Sequence, residues 1–265
     1  MRKKINKTVR KGLVLSGGGS HGYAHLGVLK AFKEKGIDFD MVSGCSAGAL
    51  IGLFYAGGFD PDEAFRIIQE SNVVKTLRFA WSRRGLFRVQ RFEKKLMRIF
   101  PDNDFENLKK ALVVSVTDLN KGGVNYLHSG GNLITSVLAS CAIPLVFEPV
   151  HLDGCYYVDG GFSNNLPAEP LADECDLLVG INVLPVPDEF DEKQLKFPWV
   201  MHRVSAIMAR TLTSKGRSLC DFLVEPEGLE KYSPFDLSKA DEIFEIGYRE
   251  GLRRLEDKTF LEALT

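Results

Sequence analysis

The sequence has 265 residues, 45% of them hydrophobic, which is enough for one large domain and too apolar for a disordered chain. Its 34 lysine and arginine residues balance 35 aspartate and glutamate residues, so charge gives no support for a nucleic-acid partner. The five cysteines form no Cys-x-x-Cys pair, and no signal-peptide core directly follows the basic amino terminus. These features argue against a disulfide framework or a zinc site and predict a cytoplasmic protein.

Apolar strand patterns alternate with amphipathic helix patterns along the chain. The predicted strands are 11–16, 37–42, 111–117, 123–128, 146–152, 155–158, 176–183 and 220–224, and the predicted helices are 23–35, 47–56, one from Pro61, 133–141, 197–219 and 240–255. Gly36 is the expected C-cap of the first helix, and Asp153-Gly154 is a hairpin signal. This order predicts an α/β fold with a central, mostly parallel sheet flanked by helices.

Gly44, Ser46 and Gly48 form the pattern Gly-x-Ser-x-Gly between a predicted strand and a predicted helix. In such a nucleophile elbow the serine occupies a sharp turn, and the glycines leave room for that turn to close. The following helix points its positive amino-terminal end at the serine, where negative charge would develop. The same short pattern also occurs in inert tight turns, so the catalytic interpretation needs further motifs.

The glycine-rich turn at 17–22 presents backbone N–H groups that can bind an anion. Its spacing fits a dinucleotide site, for which Asp38 or Asp40 would be the acid, whereas the Gly-Lys-Ser/Thr of a phosphate-binding P-loop is missing. The third interpretation is an oxyanion hole for Ser46. Because turns after parallel strands meet at one edge of a sheet, we favour the oxyanion hole.

A serine hydrolase needs a proton acceptor beside the hydroxyl, and the sequence offers two. In hydrolases whose catalytic residues follow the chain order serine, acid, histidine, the histidine comes last, and only His202 follows a candidate acid, Asp159 or Asp173. His202 lies within a predicted helix, however. Asp159 ends a predicted strand, and Gly160 and Gly161 allow close approach of backbone or substrate. A desolvated carboxylate binds protons more tightly and can act as the base. We favour Asp159 and keep a Ser-His-Asp esterase as the alternative.

Three motifs in this order, at 17–22, 44–48 and 159–161, resemble those of the patatin-like phospholipases, most closely the bacterial single-domain members. The segment 139–144 also matches. The resemblance covers about residues 11–171 and implies a three-layer α/β/α fold, with a core at 11–172 and residues 173–265 completing the same domain. At one position the chain departs from the family, which often has arginine or lysine where this sequence has His21.

The resemblance implies a serine acyl hydrolase that cleaves fatty-acyl esters of phospholipids or other lipids through an acyl-enzyme. Ser46 is then the nucleophile and Asp159 the base. The implied oxyanion hole is Gly17, Gly18 and Gly19, and the supporting glycines are Gly22, Gly44, Gly48, Gly160 and Gly161. No metal or organic cofactor is implied. A rival from another class is a non-catalytic module that binds a phosphate group in the glycine turn.

Residues 73–100 are strongly basic and contain one acid, Glu93. The basic residues are Lys75, Arg78, Arg83, Arg84, Arg88, Arg91, Lys94, Lys95 and Arg98, with Phe79, Trp81, Phe87 and Phe92 among them. Such a segment is typical of a rim that meets anionic lipid headgroups and, as the ordinary alternative, of helices with solvated basic faces. If residues 73–100 form a lipid-binding rim, we expect the protein to contact the surface of an anionic membrane through this segment.

Overall fold

The computed structural model describes residues 9–70, 90–144, 146–184 and 197–265. In these ranges one sheet has the strands β1 (Lys11–Leu15), β2 (Met41–Cys45), β3 (Ala111–Asp118), β4 (Val124–Leu127), β5 (Val150–Leu152), β6 (Cys155–Asp159), β7 (Leu177–Ile181) and β8 (Phe222–Val224). The helices are α1 (Gly22–Glu34), α2 (Ala47–Ala56), α3 (Pro61–Glu70), α4 (Gln90–Ile99), α5 (Leu133–Ser140), α6 (Glu169–Ala172), α7 (Phe197–Leu219), α8 (Ala240–Leu255) and α9 (Lys258–Leu264).

The strand order is β5-β6-β3-β2-β1-β7-β8, and β4 also pairs with β3. Strands β3, β2, β1, β7 and β8 are parallel, whereas β4 and β6 run antiparallel to β3. The predicted hairpin joins β5 to β6, and both Asp153 and Gly154 have positive φ. The mostly parallel sheet with flanking helices confirms the predicted fold class.

Both faces of the sheet are covered, which explains why its central strands are almost continuously apolar. Leu13 and Leu15 belong to the main core, whereas Val14 belongs to a smaller core on the other side. On the main face α1 packs tightly against α8. A Cβ added at Gly27 of α1 would lie 2.5 Å from the backbone nitrogen of Tyr248 in α8, so the two helices approach backbone to backbone.

Two predicted strands begin four residues before the observed ones, at 37 instead of Met41 and at 146 instead of Val150. Residues 37–40 form a loop before β2, because the apolar side chains of Ile37 and Phe39 are buried without joining the sheet. The strand predicted at 146–152 contains only Val150–Leu152. Helix α9 was missed, although Asp257 caps it by accepting hydrogen bonds from the N–H groups of Thr259 and Phe260. The C-cap of α1 is Lys35, one residue before the predicted Gly36, and Gly36 follows it with φ of 71°, the left-handed conformation that favours glycine just after a helix.

Candidate active site

Pairing along β3 brings the two predicted catalytic residues together. Cys45, the last residue of β2, pairs with Ser115, and Asp159, the last residue of β6, pairs with the next residue, Val116. The ends of β2 and β6 therefore lie at adjacent positions along one strand. Ser46 follows Cys45 directly, and its Oγ donates a hydrogen bond of 2.6 Å to Oδ2 of Asp159.

The Gly-x-Ser-x-Gly segment has the geometry of a nucleophile elbow. Ser46 has φ of 51° and ψ of −120°, a backbone conformation that non-glycine residues rarely adopt, and α2 begins at the next residue. A Cβ at Gly44 would lie 2.5 Å from the carbonyl carbon of Gly48, and one at Gly48 would lie 2.7 Å from that of Leu15. Neither position has room for a side chain, which explains both glycines of the motif.

The backbone of Ser46 is held by α5 and the residue after it. The Ser46 N–H donates to Oγ of Ser140 at 2.8 Å, and that hydroxyl donates in turn to the carbonyl oxygen of Ser115 at 2.7 Å. The Cys141 thiol donates to the Ser46 carbonyl at 3.3 Å. No motif in the sequence predicts a role for Ser140. The only signal for it was its place in the matching segment 139–144.

Asp159 is a buried carboxyl group, 4% exposed. Its Oδ1 accepts a hydrogen bond of 2.8 Å from the Gly161 N–H, and the Cys45 thiol lies 3.9 Å from the same oxygen. Burial raises the pKa of Asp159 to about 6, and the hydrogen bonds from Ser46 and Gly161 oppose that rise. A Cβ at Gly160 would lie 2.7 Å from the Ser115 carbonyl carbon, so this turn also needs glycine. The carboxylate is thus poised to exchange a proton near neutral pH.

The glycine turn lies beside Ser46, but its three N–H groups are not equivalent. The Gly17 N–H donates to the carbonyl oxygen of Asn165 at 3.1 Å, so this N–H is already paired within the fold. Among the described residues, the N–H groups of Gly18 and Gly19 have no recorded acceptor. A Cβ at Gly17 would lie 3.2 Å from Cβ of Ser46, so glycine is needed there for close approach.

Gly22 joins this turn to the elbow. It is the first residue of α1, and a Cβ added to it would lie 2.8 Å from Cβ of Ala47, the first residue of α2. The amino-terminal ends of the two helices therefore meet beside the serine, where both helix dipoles favour negative charge.

The dinucleotide interpretation of the glycine turn is wrong. Asp40 accepts a hydrogen bond of 2.7 Å from the N–H of Lys11, at the amino-terminal ends of β1 and β2. Asp38 is bound by Tyr55 and Lys110. Both carboxylates lie at the sheet edge opposite the glycine turn, whereas a ribose-binding acid must lie at the same edge as the turn.

The described histidines donate no hydrogen bond to the serine–aspartate pair. In the described part of the chain, Ser46 Oγ and the Asp159 carboxylate have no hydrogen bond to a histidine. His202 lies on α7, as predicted, but its side chain is outside the described residues. The buried His25 donates from Nε2 to the Ser16 carbonyl at 2.8 Å, and burial lowers its pKa to about 4, so its ring is neutral.

Ser46 opens onto a cavity of about 730 Å³ with mainly apolar walls. Its apolar side chains include Leu50, Ile51, Ile68, Phe92, Leu138 and Ile143, and residues 233–238 supply part of the wall. Phe92 belongs to the basic segment 73–100 and is buried against this cavity. Residues 71–89, which include most of that segment, lie outside the described residues. A cavity of this size and polarity can accept a hydrocarbon chain.

Comparison with known proteins matches residues 13–172 to the family model described as patatin-like phospholipase. The chain is 27% identical to lysophospholipase NTE1 of Candida glabrata, over 96% of this chain and 16% of that protein. It is 29% identical to an uncharacterized NTE family protein of Mycobacterium tuberculosis, over 83% and 63%. The crystal structure of VipD from Legionella pneumophila has the same fold, with a TM-score of 0.61, 19% identity and coverage of 96% and 67%.

The chain spans less than two thirds of the length of both these relatives. The family match, by contrast, extends over more than half of the chain and includes both Ser46 and Asp159. The chain belongs to the patatin-like phospholipase family.

Proposed function

We propose that this protein is a serine acyl hydrolase that cleaves fatty-acyl esters of lipids through a Ser46–Asp159 dyad. The observation that carries the proposal is the 2.6 Å hydrogen bond between Ser46 Oγ and Asp159 Oδ2 beside an apolar cavity of about 730 Å³. Family membership supports it, and one relative is named a lysophospholipase. Phospholipids with one acyl chain are therefore the first substrate class to test.

The reaction begins when Ser46 Oγ attacks the ester carbonyl and Asp159 accepts the hydroxyl proton. The N–H groups of Gly18 and Gly19 stabilise the oxyanion. Asp159 then returns its proton to the leaving alcohol as the carbon–oxygen bond breaks, which leaves an acyl ester on Ser46. A water molecule gives a proton to Asp159 and attacks this ester. The fatty acid leaves, and the proton returns to Ser46.

We further propose that residues 173–265 complete the same domain. Two contacts support this view, because β7 pairs with β1 and α8 packs on α1. No helix in the described ranges has the length and hydrophobicity to span a bilayer. Peripheral contact through 73–100 and a cytoplasmic location stay predictions.

The test is an activity screen with single-chain phospholipids, two-chain phospholipids and short-chain aryl esters, in which each substrate is given to the wild type and to Ser46→Ala. We expect hydrolysis by the wild type only, because loss of an activated nucleophile removes several orders of magnitude in rate. Equal turnover by the folded Ser46→Ala variant would contradict the proposal. A wild type without any esterase activity would favour a non-catalytic anion-binding module.

A further inference from the structure

Three consecutive backbone carbonyls hold the glycine turn from the carboxyl-terminal part of the chain. The Pro234 carbonyl accepts from the Ser20 N–H at 2.7 Å, and the Ser233 carbonyl accepts from the Ser20 hydroxyl at 3.0 Å. The Tyr232 carbonyl lies 3.0 Å from Nε2 of His21. Ser20 and His21 follow the two candidate donors directly in sequence, so these bonds act on the turn that carries them.

His21 makes a second bond that fixes the turn from another direction. Its Nδ1 lies 3.1 Å from the carbonyl oxygen of Val183, just after β7, and the residue is 3% exposed. A neutral imidazole donates to one of its two carbonyls, and the protonated ring donates to both. The ring thus links the glycine turn to two segments that lie more than 150 residues away in sequence.

Gly19 shows how closely the turn fits against this support. Its φ is 58°, and a Cβ added there would lie 3.1 Å from the carbonyl carbon of Pro234 and even closer to the oxygen. The backbone of the turn therefore rests directly on residue 234. A shift of 232–234 would move the N–H groups of Gly18 and Gly19 relative to Ser46.

We propose that the segment 232–234 positions the oxyanion donors and that Ser20 and His21 are the positioning residues through which it acts. The inference rests on the proposed hydrolase function. The segment lies beyond residue 172, where the family match ends. Neighbouring residues Phe235 and Leu237 line the cavity, so an acyl chain in the cavity would pack against the same element that holds the donors.

The test compares His21→Phe, which keeps a ring but has no donor, with His21→Arg, whose guanidinium can donate to two carbonyls. The kcat and KM of each variant are measured with an aryl ester. We expect His21→Phe to lower kcat about ten- to a hundredfold with little change in KM, because small misplacement of catalytic groups has effects of this size. His21→Arg should recover most of kcat. The control is His151→Phe, an exposed histidine on β5, which should match the wild type.

Ser20→Ala serves if His21→Phe does not fold, because it removes only the hydroxyl bond to Ser233. We expect a smaller loss of kcat, about three- to tenfold, with KM again little changed. Its control is Ser218→Ala, whose hydroxyl also donates to a backbone carbonyl but lies exposed on α7.

The outcomes separate this inference from the function on which it rests. If the Ser46→Ala variant hydrolyses the ester as fast as the wild type, the proposed function is overturned. If hydrolysis requires Ser46 but folded His21→Phe or Ser20→Ala has the full wild-type kcat, only the positioning role is overturned. A loss confined to KM would also overturn it, because donors that act on the oxyanion change the chemical step.

Discussion

Asp159→Asn should abolish hydrolysis and at the same time stabilise the folded protein. Burial raises the pKa of Asp159 from 3.8 to about 6, so the ionised carboxylate at neutral pH destabilises the native state. This rise in pKa corresponds to ~3 kcal/mol in the free energy of unfolding at neutral pH. Asparagine has the same shape, and its amide can accept from the Gly161 N–H and donate to Ser46. The variant loses the base but also the buried charge, so we expect a gain of up to ~3 kcal/mol in the free energy of unfolding.

The gain in free energy of unfolding expected for Asp159→Asn should increase as the pH rises. Between about pH 4 and pH 6 the folded wild type keeps a proton on Asp159 that the unfolded chain has released. The contribution of this group to wild-type stability is therefore complete below about pH 4 and is lost as the pH rises through about 6. Asparagine does not titrate, so the stability gap between variant and wild type should be small near pH 4 and largest above about pH 7.

Thermal and urea unfolding at several pH values between about 4 and 8 measure this gap, and 1 kcal/mol corresponds to about 2–4 °C in Tm. The matched control is Asp153→Asn, in the exposed turn between β5 and β6, where φ of 49° suits asparagine as well. It makes the same substitution at an exposed position and should match the wild type in activity and stability. Equal stability of Asp159→Asn and wild type at every pH would refute the assignment of a buried, destabilising carboxylate.

The kcat/KM of the wild type should fall about tenfold per pH unit below a pKa of about 6, because Asp159 must be ionised to accept the serine proton. A flat pH–rate profile from about pH 5 to 7 would contradict this prediction. Gly18→Ala should lower kcat about a hundredfold, because the added Cβ would lie 2.7 Å from Cγ2 of Val183 and would displace the Gly18 N–H. A change in KM alone would count against the donor role of this N–H. Ser140→Ala should lower kcat, and it should lower the free energy of unfolding by about 1–3 kcal/mol, because the buried Ser46 N–H loses its hydrogen-bond partner. The control is Ser136→Ala on the same helix. Equal values of kcat and of unfolding free energy in the two variants would refute the role of Ser140.

The sequence predicted well what depends on local pattern. An apolar run followed by Gly-x-Ser-x-Gly identified a strand, a turn and a helix, and the backbone around Ser46 has the required geometry. Parallel strands place their carboxyl ends at one edge, which predicted that the glycine turn and Ser46 would be neighbours. Local pattern failed at 37–40, because burial of Ile37 and Phe39 in a loop produces the same apolar run as a strand.

Features that depend on distant contacts could not be predicted from the sequence. The Gly17 N–H looked like a free donor, because nothing near it in sequence reveals the Asn165 carbonyl that accepts its bond. The same holds for His21, whose partners Val183 and Tyr232 follow it by 162 and 211 residues. Short motifs therefore predicted which residues come together around Ser46, whereas hydrogen bonds across the fold determine which backbone N–H groups there are already paired.

The most direct test of the central claim is to map where a fluorophosphonate probe reacts. Such a probe labels only a serine whose hydroxyl is activated. Digestion and mass spectrometry should find the adduct on Ser46 and not on Ser20, Ser140 or Ser233, and labelling should be strongly reduced in Asp159→Asn. An adduct on another serine, or labelling of Ser46 that is as fast in Asp159→Asn as in the wild type, would contradict the Ser46–Asp159 dyad.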